Sequence, residues 1–141
     1  MQLSRHVVSS DDPNNLVITV KDRPGPGGDC HHYEISNFDL RTNPSYNDRM
    51  YVDSLEEVEI FFQQGNPAEG FNGVTIEALL AICEHRLLGC QEGPYKSEEN
   101  AQALLGISHA LHSLHKRTVR LATDKVVTEI KATMGLLPTD S

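Results

Sequence analysis

Three histidines spaced by three, His109, His112 and His115, are the first residues in this chain of 141 whose types and spacing suggest chemistry. On a helix, that spacing sets neighbours about 60° apart and the outer pair about 120° apart, so the three rings do not converge well on one ion. No HExxH pattern accompanies them, and Glu99 is the only carboxylate at all suited to join them, so a polar helix face or an interface is the better reading. Cys83, His85 and Cys90 invite a thiol-nucleophile reading. No third residue is placed to orient the base, and Cys83 has apolar sequence neighbours, which points to an inert packed thiol. The remaining cluster is Lys116-Arg117-Thr118-Val119-Arg120, the densest basic stretch in a chain of net charge -8. Arg117 and Arg120 are neighbours on a helix surface, about 5–6 Å apart at Cβ, and two guanidinium forks at that spacing can grip linked phosphates. The competing reading is a solvated face paired with Glu.

The acidic balance excludes the sequence-independent phosphate attraction that underlies most DNA and RNA binding. An anionic ligand must therefore be held by a local cation cluster. No stretch approaches the roughly 20 apolar residues that cross a bilayer, and the start MQLSRHVVSS lacks a secretory apolar core, so a cytosolic protein without membrane contact is expected. Cys30, Cys83 and Cys90 are odd in number and contain no CxxC pair, which argues against a disulfide framework or structural zinc. Hydrophobic residues make up 38% and aromatics 6%, with no tryptophan. That is thin for a monomer with long helices, and association of chains would supply the missing burial.

The elements that must position these residues divide the chain in two. Residues 1–14 end in turn formers and are expected to be a loose tail or turn. Leu16-Val17-Ile18-Thr19-Val20 predicts a strand, and His31-His32-Tyr33-Glu34-Ile35 a second one. Between them, Asp22 to Asp29 packs three glycines and two prolines into eight residues, which makes a loop. No GKS, GKT or GxGxxG marks it as a phosphate loop. Residues 36–56 form a polar insert with Tyr46, Met50 and Tyr51 as candidate anchors, and Val58 to Phe62 returns to strand character.

From Asn72-Gly73 the period becomes helical. Thr75 is placed to cap a helix whose apolar residues Ala78, Leu79, Ala81, Ile82, Leu87 and Leu88 make one broad face, ended by Gly89 and Gly93-Pro94. Ser97 caps a second helix, with Glu98 and Glu99 at the positive end of its dipole. Leu104, Ile107, Leu111, Leu114 and Leu121 repeat along it at spacings of three and four. With no proline before Pro138, this helix runs to about residue 131, roughly 50 Å. Its partner of about 16 residues cannot cover it, so the outer half, with Val119, Ala122, Val126, Val127 and Ile130, must pack on the sheet or on another chain, and another chain is the expectation. The fold class is α+β: a small N-terminal antiparallel sheet over 15–71, a two-helix antiparallel hairpin over 72–133, and a tail over 134–141, taken as one domain.

A set of short motifs in one order gives the chain a resemblance. They are Phe62-Gln63-Gln64-Gly65, Asn72-Gly73-Val74-Thr75, Glu77-Ala78-Leu79-Leu80-Ala81-Ile82, Arg86-Leu87, Gln91, Gly93-Pro94, Glu99-Asn100-Ala101, Ala103-Leu104, Ala110-Leu111-His112, and Leu114 with Lys116-Arg117-Thr118. Together with Pro24 to Gly28, His31 and Tyr33-Glu34-Ile35, this pattern resembles the phage Thoeris anti-defence protein one family over roughly residues 15–120. The resemblance implies a sponge that sequesters cyclic ADP-ribose signals, glycocyclic ADP-ribose above all, without cleaving them. It also implies a helical hairpin shared with anti-CBASS sponges, cyclic di- or trinucleotides as further ligands, and assembly as a homodimer or a hexamer of three dimers in the cytoplasm of an infected bacterial host. No cofactor and no catalytic residue belong to that reading.

Carried over by motif, the ligand residues are Asn100 after the hairpin turn and Arg117 late in the second helix. The family's aromatic position holds Cys90, with Tyr95 the nearest ring, and its second arginine position holds Leu121, with Arg120 as the substitute. The family's Arg-Gly-Val-Glu-Gly-Thr tail is replaced by Asp124 to Glu129. Asn100 and Arg117 are 17 residues apart on one helix, about 25 Å, so a single small nucleotide reaches both only if they come from different chains. Antiparallel pairing of second helices brings the Asn end of one to the Arg end of the other. The alternatives are a cyclic-nucleotide hydrolase using His31, His32 or the helical histidines, and a protein-interaction module using the hairpin alone.

Overall fold

The computed structural model describes residues 1–9, 11–13, 15–46 and 55–135. The expected anchors Met50 and Tyr51 lie outside the described residues, as does the tail from 136 onward. The chain falls into two compact units, Met1–Thr75 and Ile76–Ser141.

The first unit is an antiparallel meander. Its strands are β1 (Gln2–Leu3), β2 (Val17–Val20), β3 (His32–Ser36) and β4 (Glu57–Phe61), in the spatial order β1-β2-β3-β4. The register explains the alternation in the sequence, because directly paired residues share a face. Leu3, Ile18, Ile35 and Val58 form one cross-strand row, and Val20, Tyr33 and Ile60 the next, so one face is apolar. Thr19, Glu34 and Glu59 form the row on the other face, followed by Val17, Ser36 and Glu57. The expected loose N-terminal tail is corrected here: Gln2 and Leu3 pair with Thr19 and Ile18, and β1 uses the edge that β2 otherwise leaves open.

Beyond β4, Phe62 makes a parallel bridge to Val74, with Val74 N donating to Phe61 O at 2.8 Å and Gln63 N to Val74 O at 2.9 Å. Gly73 is required at this crossing, since a Cβ there would lie 2.5 Å from Phe61 O. Asn72 clasps the same loop through its side chain, accepting from Gln64 N at 2.9 Å and donating to Gln64 O at 2.6 Å.

The second unit is the expected hairpin. Helix α1 spans Ile76–Glu92 and α2 spans Glu98–Thr133, which is 17 residues against 36. Gly89 does not end α1; the helix continues to Glu92 and stops before Gly93-Pro94. The five-residue turn is tied by Gln91, whose amide donates to Ser97 O at 3.0 Å while its carbonyl accepts from Ser97 N at 3.0 Å. Ser97 caps α2 by accepting from Asn100 N at 3.1 Å.

The face of α1 turned to α2 is narrower than expected. Leu79, Leu80, Leu87 and Cys90 are half-buried, whereas Ala78, Ala81, Ile82 and Leu88 are exposed. On α2, Leu104, Ile107, Leu111 and Leu114 are half-buried, and every residue from His115 to Gly135 is exposed. Leu121, which continues that row in sequence, lies beyond the reach of α1 and is 53% exposed. Among the described residues no side chain is buried.

Candidate functional site

The six candidate ligand residues fall into two groups on the hairpin. Cys90, Tyr95 and Asn100 gather at the turn, and Arg117, Arg120 and Leu121 lie on the outer half of α2. Since α2 is one continuous helix, Asn100 and Arg117 are separated by about 25 Å in a single chain.

At the turn, Asn100 is already engaged. Its side-chain amide donates to Tyr95 O at 3.2 Å, and its backbone N–H reaches the capping hydroxyl of Ser97. The free valence that remains for a ligand is the Asn100 carbonyl oxygen and the amide's second hydrogen. The Tyr95 ring is 82% exposed, open for stacking on one or both faces, and Cys90 is half-buried beneath the turn.

On the outer half, Arg117 and Lys116 make no ion pair among the described residues. Arg120 reaches Asp124 at 4.0 Å across one helical turn, with both side chains well exposed, and such a contact holds a guanidinium only weakly. Both forks are therefore available to an anion. The histidines of the HxxHxxH stretch are all exposed, and no group of three metal-ligating side chains occurs among the described residues. The packed-thiol reading of Cys83 is corrected: the thiol is exposed, although its position falls between Leu80 and Leu87 on the half-buried side of α1.

The glycine-rich loop of the first unit is organised around Asp22, which the sequence did not single out. Its carboxylate accepts from His31 N at 2.9 Å and His32 N at 3.2 Å, and these N–H groups hold it below the usual carboxylate range. His31 sits between two acids, with Nδ1 3.9 Å from Asp22 and Nε2 3.7 Å from Asp29. The Cys30 thiol points at Asp22 O at 3.7 Å, and burial, then the charges of Asp22 and Asp29, push it up. A suppressed thiolate is a poor nucleophile. His32 is bonded to Glu59 at 2.9 Å and stacked on Phe61 with ring centres 4.1 Å apart. Both imidazoles are thus tied to side chains of the sheet and its loop.

Two hollows matter for binding. One, of about 830 Å³, is lined by Val17, Ser36, Asn37, Asp39, Glu56 and Glu57, and its charge suits no phosphate. The other is a groove of about 460 Å³ along the hairpin, between Glu84, Leu88 and Gln91 of α1 and Ala101, Leu104, Leu105 and Ser108 of α2. No family model and no curated protein matches the chain.

Proposed function

We propose that this protein is a sponge for cyclic nucleotide immune signals, glycocyclic ADP-ribose first among them, which it holds without cleaving in the cytoplasm of an infected bacterial host. Cyclic di- or trinucleotides are secondary ligands of the same reading, and the working unit is a homodimer or three such dimers. The observation that carries it is the exposed pair Arg117 and Arg120 beside Lys116, with Arg117 unpaired among the described residues, in a chain of net charge -8. A desolvated pyrophosphate offers such forks charge-assisted bonds, which are the strong ones. The ordered motifs from Phe62 to Thr118 support the choice of ligand class. Sequestration needs affinity alone, so the engagement of His31 and His32 with carboxylates does not weaken it.

Incubation with glycocyclic ADP-ribose followed by heating should release the signal intact; a degraded product would instead establish a hydrolase. Arg117→Ala should weaken binding by about tenfold or more, the worth of one or two hydrogen bonds to a charged group. Calorimetry across cyclic ADP-ribose isomers and cyclic oligonucleotides checks both affinity and preference. A second reading, a hairpin-mediated protein-interaction module, is favoured by the exposed apolar residues of the outer half of α2. Unchanged nucleotide affinity in Arg117→Ala and Asn100→Ala would decide for it.

A further inference from the structure

The outer half of α2 carries an apolar stripe with no partner in its own hairpin. Val119 is 65% exposed, Val126 53% and Ile130 52%. At about 100° per residue, Val119, Ala122, Val126 and Ile130 share one direction, rotated by roughly 90° from the row Leu104, Ile107, Leu111 and Leu114 that meets α1. A longer α1 would therefore not cover the stripe. The direction it does share, within about 20°, is that of Ala101, Leu105 and Ser108, which with Leu104 at the edge of the inner row make the α2 wall of the hairpin groove. Leu105 is 65% exposed and Leu88 across the groove 49%. Stripe and groove thus lie on one side of one continuous helix.

Their charges are opposite. Residues 76–114 carry Glu77, Glu84, Glu92, Glu98 and Glu99 against Arg86 and Lys96, a net of -3. Residues 115–135 carry Lys116, Arg117, Arg120, Lys125 and Lys131 against Asp124 and Glu129, a net of +3. A surface whose two halves are apolar along one side and opposite in net charge can close on its own copy through a twofold axis.

We infer that the outer half of α2 fills the hairpin groove of a second copy, antiparallel and reciprocally, about a twofold axis at residues 115–116. In that register Leu105 faces Val126 of the second copy, Ala101 faces its Ile130, and His112 faces its Val119. The seam runs from Ala101 to Ile130 on both chains, about 45 Å. The register that would set Asn100 opposite Arg117 places Val119 at the level of residue 98, and leaves most of the stripe bare beyond the turn. The groove register instead sets Asn100 opposite Lys131 of the second copy, and gathers Lys116 and Arg120 of both copies near the axis. This rests on the proposed homodimer and does not depend on which nucleotide is bound, but it takes Asn100 out of a shared pocket with Arg117 of the second copy, which lies level with residue 114, about 21 Å away.

Sedimentation equilibrium of the natural chain should give twice 15.6 kDa. With Cys30, Cys83 and Cys90 replaced by serine, the pair Leu105→Cys and Val126→Cys should oxidise to a covalent dimer on a non-reducing gel, and either cysteine alone should not. Val126→Glu with Ile130→Glu should halve the mass while circular dichroism still shows the helices. A natural chain that sediments as a monomer overturns the pairing, whatever the variants do. So does a dimer that cross-links through Asn100→Cys with Arg117→Cys but not through 105 and 126. A dimer cross-linked as expected that binds no cyclic ADP-ribose isomer leaves the pairing standing and removes the sponge.

Discussion

At the scale of single residues, many of the side chains that make the sequence resemble a family turn out to hold backbone. Asn72 clasps Gln64, Gly73 makes room for Phe61, and Gln91 brackets Ser97. A motif identifies a recurring conformation as readily as a binding site, and spacing alone does not separate the two. Asp22, which organises the glycine-rich loop by accepting two backbone N–H groups, gave no signal, because a lone Asp before Arg-Pro-Gly reads as a turn former. The sheet offers a sharper test. Glu57 is held above its ordinary value of 4.5, first by a hydrogen bond from its protonated form to Glu34 and then by the Glu34 charge. A carboxyl whose folded value is raised stabilises the fold below its unfolded value and loses that contribution as pH rises through the folded one. Glu57→Gln should therefore melt higher than the natural chain at neutral pH, and the gain should vanish on acidification below the ordinary Glu range.

At the scale of elements, strand identity was legible from β-branched density and helix identity from the period, and the Ser97 cap was placed correctly. Ser97→Ala removes the acceptor of the Asn100 N–H and should cost about 1 kcal/mol in urea unfolding followed at the helical band. Two features escaped the sequence. Strand β1 is two residues long, and its register with β2 comes from pairing at a distance, which leaves no periodic trace. The apolar residues of α1 make one broad face in sequence, yet only part of it meets α2. A helix partner covers an arc of little more than 100°, and which arc is decided by where the partner lies.

For the whole molecule, the mismatch between 17 and 36 helical residues is the dominant fact. Helices gain most of their stability from packing, and the outer half of α2 has none within its hairpin. If a second copy supplies it, melting followed at the helical band should move up with protein concentration, by about 2–4 °C per tenfold. A melting point that does not change with concentration would show that α2 stands alone. The sequence by itself determined the α+β class, the order of β2 to β4 and the two helices, the overlong arm and the local basic cluster, because these follow from composition and periodicity along the chain. Only the tertiary structure decided that Asp22 ties the loop, that Cys83 faces solvent, and that the apolar stripe of α2 shares its side with the hairpin groove. Those depend on which faces meet across space, and residue type and spacing do not encode that.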